Sequence, residues 1–292
     1  MKQSHFISAG GKRVDYFDTE TGSDLLIYHH GTPAAGPIDR DLVQAAAGSD
    51  LRVVELVRPG YGNSERAVGR TVADMAKLTA ELADHLGHET FVTLGWSGGG
   101  PHALATLALL PDRCVAGLSL AGVGPYGADD LDFLAGMGQD NIEEFGASLA
   151  GESTLRPMLT QAGDSMKEIS GPEIVSMMQS LLPDVDQSVL TGEFGDEMAK
   201  IFRWAVSTGI DGWLDDDLAF TQDWGFSLNQ VTNPIAIWQG SEDLMVPYAH
   251  GQWLAAKLPH AQVQLLEGQG HLSIGQKAFS DGLPWLKRCL AQ

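Results

Sequence analysis

Two periodicities share this chain. Short runs of aliphatic and β-branched residues alternate with stretches in which apolar residues return every three or four positions, the spacing of a helix face. KRVDYFDT (12–19) and LLIYHHGT (25–32) read as strands, and DRDLVQAAAGSD (39–50) as a helix. LRVVELVRPG (51–60) is the next strand, followed by a helix over TVADMAKLTAELADHLG (71–87) with Thr71 as its N-cap. The strand TFVTLGWS (90–97), the helix GPHALATLALLPD (100–112) and the strand VAGLSLAGVG (115–124) follow. Several of these strands are apolar at nearly every position, as expected when helices cover both faces of a sheet. Strand and helix in alternation predict an α/β fold with a mostly parallel sheet.

The rhythm changes after Pro125. From 125 to 229 only helix-like segments appear, among them DNIEEFGASLAG, PEIVSMMQSLL and FGDEMAKIFRWAVSTG. The alternation resumes with the strand NPIAIWQGSED, the helix YAHGQWLAAKL, the strand AQVQLLEG and a last helix, LPWLKRCLAQ. The pattern divides the chain into an α/β core, 1–124 and 230–292, and a helical insertion, 125–229. Six of the nine methionines fall in the insertion: Met137, Met158, Met166, Met177, Met178 and Met198. Methionine fills irregular apolar gaps, so they suit ordinary core packing and equally an adaptable wall above a binding pocket.

Composition narrows the classes. A length of 292 residues permits a deep core, and 43% hydrophobic with 19% charged residues is the make-up of a soluble globular protein. A formal net charge of −20 argues against nucleic acid and anionic membranes as partners, since both need basic patches. Cys114 and Cys289 stand far apart with no metal-like spacing, which predicts free thiols. No apolar run has the length of a signal peptide or a membrane span, so a cytoplasmic location is the expectation.

The candidate chemistry lies in GWSGGGPHALATLALL (95–110). Gly-x-Ser-x-Gly alone is a weak signal in a chain with 35 glycines, but here it joins a predicted strand to a predicted helix. That places Ser97 at the carboxyl end of a strand, where ligand sites of open α/β sheets lie. A serine hydroxyl needs a base, and the base needs a carboxylate to hold its tautomer. His271, in LLEGQGHLS, follows the last strand at the same edge, whereas His250 falls in a helix and His260 before a strand. Asp243, in IAIWQGSED, ends the preceding strand, with Glu242 the leading rival. The backbone N–H groups of Gly98 and of Thr32, in HHGTP, are the expected oxyanion donors. His29 and His30 are expected to pack or bond within their loop, and RPGYGNS (58–64) to shape a turn. Trp96 and Trp224 are candidate substrate contacts.

HHGTP, RPGYGNS, GWSGGG, GSEDLMVP and GQGHLS stand in an order that resembles the α/β-hydrolase fold superfamily. The chain looks like a member with a helical cap between the sixth and seventh strands of the family's sheet. The resemblance covers the core and implies a Ser97–Asp243–His271 triad, an acyl-enzyme and no metal or organic cofactor. It does not name a substrate. Haloalkane dehalogenases and epoxide hydrolases of the superfamily carry an aspartate where this chain has Ser97. Proline iminopeptidase-like members share an HG-x-P loop and a Gly-Trp-Ser elbow, but have a second glycine where Thr32 stands. Such an aminopeptidase needs cap carboxylates, for which Glu143, Glu144 and the run Asp215, Asp216, Asp217 are candidates, although a charge run is usually a solvated face.

The reading reached is a serine hydrolase of carboxylic esters or related acyl compounds, acting on an uncharged, largely apolar small molecule. An aminopeptidase, a C–C bond hydrolase and a non-catalytic ligand sensor on the same fold are the alternatives.

Overall fold

A computed structural model describes residues 1–291; Gln292, the last residue of the predicted final helix, lies outside the described residues. Eight strands form one sheet: β1 (Lys2–Ile7), β2 (Arg13–Asp18), β3 (Asp24–His29), β4 (Leu51–Leu56), β5 (Phe91–Trp96), β6 (Cys114–Leu120), β7 (Ile235–Gly240) and β8 (Gln262–Leu266). Their order is β1-β2-β4-β3-β5-β6-β7-β8. The β1–β2 and β2–β4 pairings are antiparallel, and all others are parallel. β1 was not among the predicted strands. It is an edge strand with mostly exposed side chains, so it carries no apolar run to betray it.

The helices of the core are α1 (Arg40–Gly48), α2 (Asp74–His85) and α3 (Gly99–Leu109). Between β6 and β7 the chain holds α4 (Gln139–Leu149), α5 (Glu152–Met166), α6 (Gly171–Met177), α7 (Asp184–Val189), α8 (Gly192–Ala205) and α9 (Asp211–Phe220), with no strand among the described residues. After β7 come α10 (Tyr248–Lys257) and α11 (Ile274–Leu290). Strands β5 and β7 are buried at every position because helices cover both faces. Leu42 of α1 and Leu283 of α11 belong to one apolar cluster, Met75 of α2, Leu104 of α3 and Leu254 of α10 to another.

Thr71 is not an N-cap. Helix α2 begins at Asp74, whose carboxylate accepts the Thr71 N–H at 2.7 Å and its hydroxyl at 3.0 Å. The donor and acceptor roles are reversed, and the helix starts later. No helix among the described residues is long and apolar enough to cross a membrane. Both cysteines are free.

Parallel strands share a carboxyl edge, and that edge collects the chemistry. Thr32 follows β3, Arg58 follows β4, Ser97 follows β5, Asp243 follows β7 and His271 follows β8. The insertion lies over the same edge.

Candidate active site

At Ser97 the backbone takes φ of 56°, the left-handed region that a residue with a side chain adopts only where its surroundings compel it. The compulsion is visible. Ser97 N donates to Leu120 O at 2.8 Å, and Gly100 N donates to Ser97 O at 2.9 Å, so strand turns to helix with no intervening loop. Glycine is required at 95 and 99, where a Cβ would collide with the carbonyls of Gly99 and His29. The turn lifts Ser97 into a cavity of about 430 Å³ that Gly98, Thr32 and His271 also line.

His271 is buried, and its Nδ1 bonds Asp243 Oδ2 at 2.8 Å. Asp243 is held on every side. Oδ1 accepts from Met245 N at 2.9 Å and Val246 N at 2.8 Å, and Oδ2 also accepts from Gln239 Nε2 at 2.9 Å. The rival Glu242 is exposed, its side chain beside the Ser241 hydroxyl. Burial pulls the His271 pKa down, but the charge and hydrogen bond of Asp243, with a further contribution from Asp186, overcome it and leave the pKa raised. Among the described residues the Ser97 hydroxyl has no hydrogen bond to His271; contacts of this kind are often long without bound substrate.

Gly98 and Thr32 stand side by side, since a Cβ on Gly98 would lie 2.5 Å from Thr32 Oγ1. The Thr32 loop rests on Arg58, which is fully buried. Arg58 Nη1 donates to His30 O at 2.5 Å, and Nη2 donates to Gly31 O at 2.9 Å and Thr32 Oγ1 at 3.0 Å. The guanidinium is neutralised by Asp216 of α9, which accepts from Arg58 Nη2 and Arg70 Nη2 at 2.5 Å each, from Thr32 Oγ1 at 2.7 Å and from Tyr61 OH at 2.9 Å. Burial alone would raise the Asp216 pKa, yet the two guanidiniums hold it far below the usual carboxylate range.

His30 keeps its expected place within the loop. Its Nδ1 bonds Gly31 O at 2.7 Å, its Nε2 accepts from Arg58 N at 3.2 Å, and one neutral tautomer satisfies both. Burial drives the His29 pKa down to about 3, so that ring is neutral too.

Two expectations are corrected by the geometry. Trp224 does not line the cavity. The chain leaving α9 doubles back over the start of α2, where Trp224 O accepts from Ala73 N at 2.9 Å and the indole stacks on Phe226 at 5.9 Å. Trp96 lines the cavity, and its Nε1 donates to His271 O at 3.2 Å while its ring meets the edge of Phe279, so it also braces the histidine loop. The run Asp215–Asp217 is not a solvated face, for all three are buried. Asp215 pairs with Arg66, Asp216 with Arg58 and Arg70, and Asp217 faces Glu144.

Glu144 and Asp217 also line the cavity. The Trp213 indole donates to Glu144 Oε1 at 2.7 Å. Burial pushes both carboxyls up, and Asp217 is raised further by Glu144 beside it. Five of the six methionines of the insertion line the cavity as well: Met158, Met166, Met177, Met178 and Met198.

The family description "alpha/beta hydrolase fold" matches residues 24–278. The chain belongs to that family. Haloalkane dehalogenase 2 of Mycobacterium tuberculosis is 30% identical over 131 residues, 44% of this chain and 45% of the relative, so less than half the relative's length is matched. A pimeloyl-[acyl-carrier protein] methyl ester esterase of Nitrosomonas europaea is 26% identical over 255 residues, 87% of this chain and 90% of the relative. Among solved structures, a bromoperoxidase from Bacillus anthracis superposes with a TM-score of 0.70 at 21% identity, covering 98% of this chain and 100% of its own. The relatives are named for different reactions, so the choice among them rests on the site.

Proposed function

We propose that this protein is a serine hydrolase that cleaves an ester or related acyl compound through an acyl-enzyme. The observation that carries the reading is the strained Ser97 elbow opening on the same cavity as the His271–Asp243 pair. Ser97 attacks the carbonyl carbon while the His271 ring takes its proton. The N–H groups of Gly98 and Thr32 receive the oxyanion, and His271 returns the proton to the leaving group. Water, deprotonated by the same ring, then releases the acid. The raised His271 pKa fits a base that must hold a proton while the intermediate lasts. Met177, Met178 and Met198, with Phe202, suit an uncharged, largely apolar acyl group.

The test is labelling by a fluorophosphonate combined with turnover of neutral aryl esters. Ser97→Ala is expected to abolish the label and to lower kcat on the order of 10⁴- to 10⁶-fold without unfolding the chain. Full activity in Ser97→Ala would remove the assignment. Labelling without turnover of any ester would favour a ligand sensor.

A second reading is favoured by the Glu144–Asp217 pair in the cavity wall, two adjacent carboxyls that a substrate ammonium group would complement. An aminoacyl arylamide preferred over a neutral ester of equal size would select this reading, and Glu144→Gln would then remove the preference.

A further inference from the structure

The insertion reaches the histidine loop through one side chain. Asp186 of α7 has no exposed surface, and both its oxygens serve a single stretch of backbone. Oδ2 accepts from His271 N at 2.7 Å, and Oδ1 accepts from Leu272 N at 3.1 Å and Ser273 N at 2.9 Å. A Cβ at Gly270 would strike this carboxylate, so the residue before the histidine has no room for a side chain. Ser273 Oγ completes the turn by accepting from Gly270 N at 2.8 Å. The loop thus wraps its amides around an anion supplied by a helix 85 residues earlier in the chain. Asp243 grips the ring. Asp186 grips the backbone that carries the ring.

We propose that Asp186 is a positioning residue for His271, so that the insertion sets both the place and the charge preference of the base instead of only covering the cavity. This rests on the reading of His271 as the base. Without the carboxylate, three amides beside the base lose their acceptor, and the loop relaxes toward water or other partners. A shift of 1 Å in the imidazole is enough to cost a reaction on the order of 10²-fold. The charged groups that bear on the ring are Asp243, from the loop after β7, and Asp186, from α7. Glu144 and Asp140 on α4 and Asp217 on α9 line the same cavity, and Asp39 and Glu55 line it from the core.

Asp186→Asn keeps the size and loses the charge. Its kcat/KM for a neutral aryl ester is expected to fall about 10²-fold, mainly in kcat, with the acid limb moved to lower pH. The sign follows from a negative charge favouring the imidazolium: removing it lowers the pKa of the base. A purely structural loss would not move the limb. Asp215→Asn, which removes a buried carboxylate paired with the half-buried Arg66, is the control; it is expected to melt earlier and leave the limb in place. An Asp186→Asn enzyme with unchanged kcat and an unmoved limb overturns the proposal. If that variant does not fold, Asp186→Glu decides, because it keeps the charge and displaces the loop. Lowered kcat with the limb retained supports positioning, and unchanged kcat overturns it. Titration of the His271 imidazole by NMR in the full chain needs no substrate. A wild type that turns over no acyl compound would sink the proposed function, while the titration would still report whether Asp186 holds the ring.

Discussion

The two ends of the cleft are each held by an aspartate of the insertion, and the two aspartates are treated in opposite ways. At the base end Asp186 meets backbone amides, and its negative charge reaches His271 and helps to raise the pKa of the ring. At the oxyanion end Asp216 meets two guanidiniums, a phenol and the Thr32 hydroxyl, which absorb its charge. On the proposed reading of the site, the chemistry explains the difference. A base that becomes an imidazolium gains from a nearby anion. A site that must receive an oxyanion would be opposed by one, so the aspartate that braces it is buried beneath Arg58. Neither ion pair nor nest has to add net stability for this to hold, since a buried pair is weak evidence for stability but is costly to break.

The largest effect expected is at the base end. Asp243→Asn leaves the Met245 and Val246 amides an acceptor but removes the charge facing Nδ1, and kcat should drop on the order of 10⁴-fold. If Glu242→Gln were the damaging change and Asp243→Asn silent, the base end would be wrongly assigned. The next effect belongs to the oxyanion end. Asp216→Asn strands Arg58 and Arg70 in a buried site, which should destabilise the fold by about 3–5 kcal/mol. In the surviving folded fraction the Thr32 loop loses its anchor, and kcat is expected to fall about 10²- to 10³-fold, the cost of losing one oxyanion donor. The contrast is sharpened by pH. Asp186→Asn moves the acid limb and Asp216→Asn does not, because the Asp216 charge is already matched. A shifted limb in Asp216→Asn would break the comparison.

Much of the core was legible before any coordinate. The apolar runs of β3 to β7, the glycines around Ser97 and the positions of Asp243 and His271 after their strands are local signals, carried by a few neighbours in sequence. The residues that sequence reading left out, as Asp186, or gave another role, as Asp216 and Arg58, share a different origin. Asp186, Asp216 and Arg58 take their meaning from partners far along the chain, up to 158 residues away for Arg58 and Asp216. A buried charge has no periodicity, and three adjacent aspartates look like a solvated face until the guanidinium and carboxyl partners are in place. One signal was available. Arg58 follows five buried positions of β4 and the loop after it, where a solvated arginine has no reason to stand. Trp224 misled for the converse reason: an aromatic residue of the insertion suggests a pocket wall, but its direction depends on how the chain returns to the sheet.

A gentler test of the oxyanion end uses Glu55. It lies on β4, is 1% exposed, and accepts the Gly36 N–H at 3.0 Å, so it supports the loop that follows Thr32. Burial pushes its pKa up to about 8. The folded state therefore keeps a proton that the unfolded chain releases near the ordinary glutamate value. A raised carboxyl pKa gives stability that is complete below the unfolded value and is lost as pH rises toward about 8. Asp39, raised to about 6 by burial, adds to the same trend at lower pH. Urea midpoints are expected to fall between pH 5 and 9 in the wild type and to fall less in Glu55→Gln. An identical slope in both proteins would mean that Glu55 is ionised throughout.

The smallest effect concerns the wall between the two ends. Its methionines carry no charge to set a geometry, so this part of the wall discriminates by the apolar area it takes from water. That is worth about 0.8 kcal/mol per methylene, or roughly fourfold in kcat/KM for each carbon added to an acyl chain. The series from acetyl to octanoyl aryl esters should climb by that increment and level off once the cavity of about 430 Å³ is full. The rise belongs in kcat/KM at constant pH, with the acid limb the same for every chain length, because the methionines act on neither His271 nor the Thr32 loop through charge. Met198→Gln, similar in length but polar, should flatten the slope without moving the limb. A flat series in the wild type would show that the acyl group lies elsewhere, and a limb that shifted with chain length would show that wall and base are not independent.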